Sequence, residues 1–334
     1  MNYTILLWPH ANARYRAESA RLALAELEML LRRIAPDAKA TVGESAELPT
    51  LEIQCASPLS DADVAALRGL SLLYALFERR GDALIPLAGR EQAYLGEDLP
   101  GILKYKGKTN ELFTQLLVNV ALYCGDYLAS PEPIRLLDPM CGRGTTLFVS
   151  ANRGWQCTGT DVDKADLKEA ETFFKRYLEY HRFKHALERE SFTLKGKKSA
   201  PGAAFTFADT PEHFRQKQTA SLKLTNCDAT EAREAFGSRA FHLIACDLPY
   251  GVQHASQGGS LEKLLARALP GWRGMLKPGG TVAVSFNAQT LKPARVHELM
   301  AEAGLSPVEE TSDGRFAHWV EQAVTRDLAV ARRG

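Results

Sequence analysis

The sequence predicts an α/β protein with an open, mainly parallel sheet and a small α+β domain in front of it. Apolar segments at 134–137, 155–160 and 222–227 each lead into an aspartate. A glycine-containing turn and an apolar helical segment separate the first two, which is the spacing of a βαβ unit. In such sheets ligands bind at the carboxyl ends of the strands, so we expect the functional site there.

The first of these segments carries the glycine turn. Ile134 to Leu137 form a predicted buried strand that ends at Asp138, and a short helix follows over 147–152. Gly142 and Gly144 allow the chain to turn sharply and approach a ligand closely. The third glycine of the dinucleotide pattern is missing, and the preceding acid suits a ligand with a cationic amino group. An ordinary strand-to-helix loop is the alternative.

Acids also end the next two predicted strands. Asp161, with Asp163 as the second choice, is placed to accept hydrogen bonds from two ribose hydroxyls. Asp228 is placed to accept a hydrogen bond from an adenine amino group. Each acid alone is explained more simply as a helix cap, but three such acids in order are much harder to obtain by chance.

A further apolar strand leads into the segment ACDLPYG at 245–251. Together with LDPMCGRGT at 137–145, this segment resembles the class I S-adenosylmethionine-dependent methyltransferases. More narrowly, it is similar to the RNA-modifying group that includes the THUMP-associated tRNA guanine N2-methyltransferases. The resemblance covers about residues 100–334. It implies a Rossmann-like class I methyltransferase sheet and S-adenosylmethionine as the cofactor.

The resemblance also implies which residues bind that cofactor. The Asp138 carboxylate and the Gly142–Gly144 turn would contact the methionine part, and Asp161 the ribose. Asp228 and Ala229 would face the adenine. The full set of candidate cofactor-binding residues is Asp138, Pro139, Cys141, Gly142, Gly144, Thr145, Asp161, Asp163, Asp228, Ala229, Asp247 and Thr109.

By the same resemblance, the candidate catalytic residues Asp247, Leu248, Pro249 and Tyr250 form the loop that receives the target base. An exocyclic amine is a poor nucleophile because its lone pair is delocalised, so the loop must align it with the activated methyl group. Asp247 and the Leu248 carbonyl can accept hydrogen bonds from the amine, Pro249 stiffens the loop, and Tyr250 can stack on the base. Leu248 replaces the first proline of the commoner D-P-P-Y pattern, which adds a backbone N–H.

The residues favour an amine as the methyl acceptor. Methylation of pyrimidine carbon 5 needs a reactive cysteine, whereas Cys246 is expected to be a small buried hydrophobe. The spaced lysine, aspartate, lysine and glutamate set of ribose 2′-O methylation is not found. We expect methylation of a nucleobase amine in an RNA substrate, with guanine N2 of tRNA or rRNA preferred. A DNA amino-methyltransferase (adenine N6 or cytosine N4) and a non-catalytic cofactor-binding RNA assembly factor stay open as alternatives.

A basic insertion is predicted at about 191–221. The pattern predicts a helix over 165–190 and then a hairpin over 191–207 that turns at Pro201 and Gly202. Lys195, Lys197 and Lys198 are candidates for binding nucleic-acid phosphates. A solvated hairpin without a ligand is the alternative.

Residues 1–100 are predicted to form a separate domain. Strands near 3–8, 39–42, 51–55 and 70–77, with helices over 14–34 and 61–68, give the order βαββαβ of a ferredoxin-like unit. Related RNA methyltransferases carry such a domain, so we expect it to contribute to RNA binding. No full THUMP module is recognisable.

The segments on either side of the motifs complete the prediction. The linker before a helix over 112–123 carries weaker cofactor or phosphate candidates, with a polar helix cap as the alternative; these are Lys106, Lys108, Thr109 and Asn110. After the motifs we expect a helix end and turn over 271–280, a strand over 281–286, a helix over 293–304, and a final strand pair of 307–310 with 319–326.

Composition sets the limits. With 334 residues, 45% of them hydrophobic, the chain can bury a large core and is expected to form about two domains. A formal net charge of +1 requires any nucleic-acid affinity to come from local patches. Six cysteines without metal-ligand spacing predict a reducing compartment and no metal. No signal peptide or membrane-spanning run is recognised, so we expect a cytoplasmic protein.

Overall fold

The computed structural model describes residues 1–9, 13–105, 107–194, 198–249 and 261–334. The first third of the chain forms an antiparallel sheet, here called the small sheet, and two helices. Its elements are β1 (Asn2–Leu7), α1 (Ala13–Ile34), β2 (Lys39–Ser45), β3 (Leu48–Gln54), α2 (Asp61–Arg68), β4 (Leu73–Arg80) and β5 (Ala83–Gly89). The strand order is β2-β3-β1-β4-β5.

The predicted element order is therefore observed from β1 to β4. Strand β5 was not predicted; it pairs antiparallel with β4 and extends the small sheet. Helix α2 begins with a capping box, in which the Ser60 hydroxyl accepts from Asp63 N while the Asp63 carboxylate accepts from Ser60 N. The ferredoxin-like assignment of this unit stays a prediction.

The rest of the chain builds a second, larger sheet, here called the large sheet. Its elements are α3 (Leu99–Ile102), α4 (Glu111–Tyr123), β6 (Arg135–Asp138), α5 (Thr145–Ala151), β7 (Gln156–Asp161), α6 (Lys164–Tyr180), β8 (His185–Leu194), β9 (Lys198–Phe207), α7 (Pro211–Arg215), β10 (Ala220–Asn226), α8 (Ala232–Phe236), β11 (Phe241–Asp247), α9 (Leu261–Met275), β12 (Leu276–Asn287), α10 (Pro293–Glu302), β13 (Ser306–Pro307), a 3-10 helix (Glu309–Thr311), β14 (His318–Glu321) and β15 (Val324–Arg332).

The strand order of the large sheet is β13-β15-β12-β11-β6-β7-β10-β9-β8, and β14 also pairs with β15. Strands β10, β7, β6, β11 and β12 are parallel to one another, and β15 is antiparallel to β12. This order confirms the predicted α/β, Rossmann-like sheet with an antiparallel end. The predicted pairing of the last two strands is wrong, because β13 and β14 each pair with β15 and not with each other.

Helices cover both faces of the large sheet. Helices α4, α5 and α6 contribute to one apolar cluster, with Phe113, Phe148 and Phe174 almost fully buried in it. Helices α8, α9 and α10 contribute to a second cluster on the other face, around Trp272. A sheet buried on both faces explains why the central strands β11 and β12 have nearly continuous apolar sequences.

The insertion between β7 and β10 departs from the prediction in two ways. Helix α6 ends at Tyr180, whereas a helix continuing to residue 190 was predicted. Arg182 adopts a positive φ of 60°, which breaks the helix, and β8 follows from His185. The insertion therefore begins before residue 191 and adds two antiparallel strands to the edge of the sheet.

The hairpin turn also lies elsewhere than predicted. Strands β8 and β9 pair up to Leu194 and Lys198, so the chain does not turn at Pro201 and Gly202, and residues 195–197 lie outside the described residues. Pro201 and Gly202 lie inside β9, opposite Ser191 and Glu190. Of the predicted helix end and turn over 271–280, the helix end is observed, because α9 ends at Met275, whereas β12 begins directly at Leu276 where the turn was predicted.

The two sheets share one core. Side chains of the small sheet and of α1 belong to the same apolar cluster as α4, α5 and α6. At the contact, the fully buried Glu26 accepts hydrogen bonds from Ser71 N at 3.0 Å and from the Asn119 amide. Arg153 donates to the Asn119 carbonyl oxygen and, at 3.0 Å, to Gly69 O. Burial raises the pKa of Glu26, so this network is a polar centre in an otherwise apolar contact.

Candidate active site

The predicted acids meet at the carboxyl edge of the large sheet. After β10 the chain returns to the other side of β6 to form β11, so the strand order reverses between β6 and β11. Ligands of open α/β sheets bind in the crevice at such a reversal. Asp138 ends β6, Asp161 ends β7 and Asp247 ends β11, which brings three carboxylates from neighbouring strands to this crevice.

The glycine turn lies directly above β6. Gly142 and Gly144 have φ values of 48° and 89°, which disfavour any other residue. A Cβ atom at Gly144 would also lie 3.1 Å from the Phe148 ring. The Gly142 amide donates to Asp161 Oδ2 at 2.8 Å, so the turn is fastened to the end of β7. Both glycines are therefore required by the backbone, as the sequence predicted.

Asp138 is buried and faces other acids. Its side chain is only 2% exposed, and its Oδ1 accepts from Met140 N at 3.0 Å. Burial raises the pKa of Asp138 to about 7, and the nearby charges of Asp161 and Asp247 act in the same direction. A carboxyl group in this state is well suited to a cationic ligand, because the cation would favour its ionised form.

Asp161 and Asp163 have different roles in the structure. Asp161 accepts from the Gly142 and Asp163 amides, and burial raises its pKa. Asp163 is exposed and caps α6, accepting from Ala165 N at 2.8 Å. The cap alternative therefore holds for Asp163, while Asp161 remains directed toward the glycine turn. Between them, the apolar side chain of Val162 is 67% exposed.

Asp228 lies two residues beyond β10. It accepts from Thr230 N at 2.8 Å and from the Thr230 hydroxyl at 2.7 Å, which fixes a tight turn after the strand. Ala229 is buried, and its carbonyl oxygen accepts from Trp272 Nε1 at 2.9 Å. These contacts connect the end of β10 to α9.

Asp247 is held by hydroxyl groups from two other elements. Its Oδ1 accepts from Ser285 Oγ at 2.7 Å, and its Oδ2 accepts from Thr109 Oγ1. Ser285 lies in β12 and Thr109 precedes α4, so the carboxylate is fixed from both sides. Burial raises the pKa of Asp247, an effect that Arg326 and these hydrogen bonds oppose.

Arg326 is a buried cation beside Asp247. Its Nη2 lies 3.8 Å from Asp247 Oδ2 and 3.3 Å from Thr109 Oγ1, and only 5% of its side chain is exposed. The guanidinium also lies over the Phe113 ring, 5.0 Å from the ring centre. Burial lowers the pKa of Arg326, whereas the Asp247 carboxylate raises it. The two residues form a buried ion pair between β11 and β15.

Helix α1 packs near this pair. The Tyr15 ring packs edge-on against His318 at 6.0 Å between ring centres, and His318 packs against Phe113 at 4.7 Å. Burial raises the pKa of Tyr15, and the charge of Arg326 opposes that rise. Helix α1 thus forms the wall behind the Asp247–Arg326 pair.

The leucine that replaces a proline after Asp247 has a specific contact. Leu248 is buried, and its backbone N–H donates to Ser285 O at 2.8 Å, a bond that proline could not make. Pro249 follows in the described part of the loop. Tyr250 lies outside the described residues, and so do Lys106, Lys195 and Lys197; Lys198 belongs to β9, but its side chain is not described.

The segment before α4 closes one side of the crevice. The hydroxyls of Tyr105 and Thr145 lie 3.1 Å apart, and the Arg143 guanidinium lies 4.8 Å from the Tyr105 ring centre. The Asn110 side chain accepts from Leu112 N, so the predicted polar cap of α4 is present. Lys108 donates to Pro100 O at 2.5 Å and pairs with Glu111, not with the three carboxylates of the crevice.

The remaining predicted residues support the turn from below. Pro139 O accepts from Thr160 Oγ1 at 2.9 Å, and Cys141 N donates to Thr160 O at the same distance. Burial raises the pKa of the Cys141 and Cys246 thiols well above the ordinary value. Both are therefore poor nucleophiles, which agrees with the prediction for Cys246.

Sequence reasoning missed four residues of this site. Arg326 and Ser285 were predicted only as parts of strands, and Val162 and Tyr105 only as parts of the segments around Asp161 and Lys106. Arg326 could have been noticed from the sequence. The neighbouring charged residues Arg326 and Asp327 interrupt the mainly apolar strand 324–332, and a buried charge is unusual unless it has an ionic partner. The hydroxyl of Ser285 gives no such signal.

The described ranges contain neither a metal centre nor a membrane-spanning helix. No group of three or more His, Cys, Asp and Glu side chains is arranged there to hold a metal ion. None of the helices described is both long and apolar enough to cross a membrane.

The chain was compared with known proteins. It matches no protein-family profile and no curated protein. Among solved structures it is similar to the rRNA methyltransferase aviRa from Streptomyces viridochromogenes, with 16% identity over 69% of this chain and 88% of that one, at a TM-score of 0.41. It is also similar to a TehB-like SAM-dependent methyltransferase from Corynebacterium glutamicum, with 16% identity over 61% and 83% of the two chains, at a TM-score of 0.37.

A third similar structure is that of a geranyl diphosphate methyltransferase. It shares 12% identity over 74% of this chain and 89% of its own, at a TM-score of 0.37. These similarities concern the fold and do not distinguish RNA from small-molecule substrates.

Proposed function

We propose that this protein is an S-adenosylmethionine-dependent methyltransferase that acts on an exocyclic amine of a nucleobase in RNA. Guanine N2 in tRNA or rRNA is the target that we favour. The observation that carries the proposal is the meeting of Asp138, Asp161 and Asp247 at the strand-order reversal, beside the Gly142–Gly144 turn. Each of the three acids has a different environment, and each environment matches a different part of the reaction.

The residues on one side of the crevice fit the cofactor. When bound, S-adenosylmethionine supplies a methyl group activated by a positively charged sulfur. Asp138, with its raised pKa, would pair with the cationic amino group of the methionine part. Asp161 would accept from the ribose hydroxyls, and the exposed Val162 beside it offers an apolar surface for the adenine. Asp228 and Ala229 would face the adenine of the cofactor.

The residues on the other side fit an amine acceptor. The Asp247 carboxylate accepts hydrogen bonds from the hydroxyls of Ser285 and Thr109 and lies beside the Arg326 guanidinium. They hold the carboxylate in one orientation toward the crevice and oppose its protonation. An amine that donates to Asp247 and to the Leu248 carbonyl would be kept in line for attack, which is the main task of this catalyst.

The first test is cofactor binding. Calorimetry with S-adenosylmethionine should show binding to the wild type and an affinity at least about tenfold weaker for Asp161→Ala, since each charge-assisted hydrogen bond contributes ~1.5 to 3 kcal/mol. Asp163→Ala is the matched control, because its carboxylate caps α6 and should leave affinity nearly unchanged. Equal affinity in the wild type and Asp161→Ala would reject the ribose assignment.

The second test identifies the acceptor. The wild type is incubated with labelled S-adenosylmethionine and unmodified tRNA, rRNA or genomic DNA, and the nucleosides are separated by mass spectrometry. Label on an exocyclic amine of an RNA base supports the proposal. Label in DNA alone would favour the amino-methyltransferase of DNA, and label on a pyrimidine carbon or a ribose oxygen would refute the amine chemistry.

A further inference from the structure

A cluster of arginines lies at the amino edge of the large sheet, opposite the candidate active site. Arg233, Arg239 and Arg273 are exposed, and Arg333 is half-buried. They come from α8, from the segment before β11, from the end of α9 and from the segment after β15. These four residues are called the arginine cluster.

The cluster is centred on Gly274 near the carboxyl end of α9. Arg333 Nη1 donates to Arg273 O at 3.0 Å and to Gly274 O at 3.2 Å. The Arg239 backbone N–H also donates to Gly274 O, at 3.1 Å. A Cβ atom at Gly274 would lie 2.8 Å from Arg233 Cζ, so that guanidinium covers the glycine.

Helix capping explains only part of this arrangement. Cations are stabilised at the carboxyl end of a helix, which accounts for Arg333. Arg273 Nε donates to Gly304 O at 2.8 Å, which satisfies the end of α10. By contrast, Arg233 makes one long hydrogen bond, 3.4 Å to Ser238 Oγ. Within the part of the chain that the structure describes, the Arg239 guanidinium donates no hydrogen bond, so two guanidiniums serve no evident structural purpose.

The cluster is also unneutralised. Among the described residues, no carboxylate lies within ion-pair distance of these four guanidiniums. The remaining segments, 10–12, 106, 195–197 and 250–260, contain no aspartate or glutamate. Burial, followed by the charges of Arg239, Arg273 and Arg233, lowers the pKa of Arg333. Like charges held together without a counter-charge favour an external anion.

We propose that the arginine cluster binds the phosphate backbone of the RNA substrate. Guanidinium groups donate two parallel hydrogen bonds to a phosphate, and a nucleic-acid strand presents several phosphates in a row to adjacent cations. Such contacts position the RNA without reading its sequence. The inference rests on the proposed function for its choice of RNA over other polyanions.

The test measures RNA affinity against salt with the full chain. Binding of an unmodified tRNA transcript is followed by fluorescence anisotropy between about 50 and 200 mM salt for the wild type and Arg233→Gln/Arg239→Gln. The slope of log K against log salt should become shallower by about 0.7 to 0.9 for each phosphate that the variant no longer neutralises. Lys175→Gln/Arg176→Gln is the control, because it removes the same charge from two exposed side chains on α6, away from the arginine cluster and from the amino-terminal unit. Its slope should match that of the wild type.

The possible outcomes separate the two proposals. If the slope of log K against log salt is equal in the cluster variant and the control, the arginine cluster does not bind RNA, even if S-adenosylmethionine binds normally. A slope that depends on the cluster, in a protein that does not bind S-adenosylmethionine, supports the surface and refutes the methyltransferase. Poly-glutamate is the comparison probe: equal wild-type affinity for poly-glutamate and tRNA, abolished together in the cluster variant, would reassign the surface to an acidic protein and overturn the RNA assignment.

Discussion

The two edges of the large sheet carry opposite charge, although they belong to the same strands. At the carboxyl edge, Asp138, Asp161 and Asp247 are partly or fully buried and held by hydrogen bonds. At the amino edge, Arg233 and Arg239 are exposed and have almost no hydrogen-bond partners in the described structure. Parallel strands all run the same way, so residues that precede strands collect at one edge and residues that follow them collect at the other. A chain with a formal net charge of +1 thereby places a group of acids at one edge of the sheet and a group of arginines at the other.

The difference agrees with the two roles proposed for these edges. The acids at the carboxyl edge have defined orientations, and burial shifts their pKa values, which suits recognition of a small ligand and its chemistry. Arg233 and Arg239 at the amino edge are exposed and have almost no hydrogen-bond partners among the described residues, which suits a large, flexible polyanion. Variants at the two edges test these two descriptions, beginning with the largest expected effect.

Asp247→Asn should lower the rate of methyl transfer by about 100-fold or more, because the positioned acceptor of the amine loses its charge. Cofactor affinity should stay within a few-fold, since Asp247 lies on the acceptor side of the crevice. Single-turnover transfer of a labelled methyl group gives the first value and calorimetry the second. Full activity of Asp247→Asn would show that the Asp247 carboxylate does not position the amine.

Arg326→Gln should move the acidic limb of the pH profile upward by about 1 to 3 pH units, because an adjacent arginine lowers an aspartate pKa by that amount. The sign follows from the role of Asp247: without the cation its pKa rises further, so the active, ionised carboxylate is lost at a higher pH. The profile of kcat/KM against pH gives the shift. Arg326→Lys should restore the limb.

A control for Arg326 lies on the same strand. Arg332 forms an exposed ion pair with Asp126, and Arg332→Gln should leave the pH profile unchanged. An equal shift in both variants would mean that general charge, and not the buried pair with Asp247, determines the profile. Circular dichroism should accompany both, because removing one partner of a buried ion pair costs ~3 to 5 kcal/mol of stability.

Cofactor affinity should depend on pH through Asp138. In the free protein its pKa is about 7, whereas a cationic amino group would favour the ionised form. Affinity should therefore fall by up to about tenfold per pH unit below ~7, and binding at pH ~6 should release a proton. Calorimetry in buffers of different ionisation enthalpy measures that proton. Asp138→Asn should abolish the dependence, and a persisting dependence would assign it to another group.

The smallest effect is expected at the amino edge. Arg333→Gln should lower the free energy of unfolding by ~1 to 2 kcal/mol, because its guanidinium satisfies carbonyls at the end of α9. Arg239→Gln should leave the free energy of unfolding within about 0.5 kcal/mol of the wild type, since it removes repulsion and few contacts. Urea unfolding compares the two. Equal decreases would make Arg239 a structural residue and weaken its assignment to RNA.

The local part of this organisation was predictable from the sequence. A strand that ends in an acid, as at Asp138 and Asp161, needs only the apolar run and the residue after it. The turn at Gly142 and Gly144 was equally visible, because a positive φ selects glycine. The carboxyl edge could therefore be predicted one strand at a time.

Long-range pairing was not predictable in the same way. The contact of Asp247 with Arg326 depends on β15 entering the sheet beside β12, which no local pattern specifies. In the insertion, residues 185–190 include good helix formers, but their pairing with β9 places them in a strand. Pro201 and Gly202 are typical turn residues, but the same pairing places them inside β9.

The buried ion pair has a consequence for how the candidate site forms during synthesis. Thr109, Asp247 and Ser285 are all translated before Arg326, and domains fold as the chain emerges. Until β15 has left the ribosome and paired with β12, the Asp247 carboxylate has hydroxyl partners but no cation from that strand. A nascent chain that ends before β15 therefore holds its key acid in an incompletely neutralised site. The complete Asp247–Arg326 pair would form late, when β15 joins the sheet beside β12.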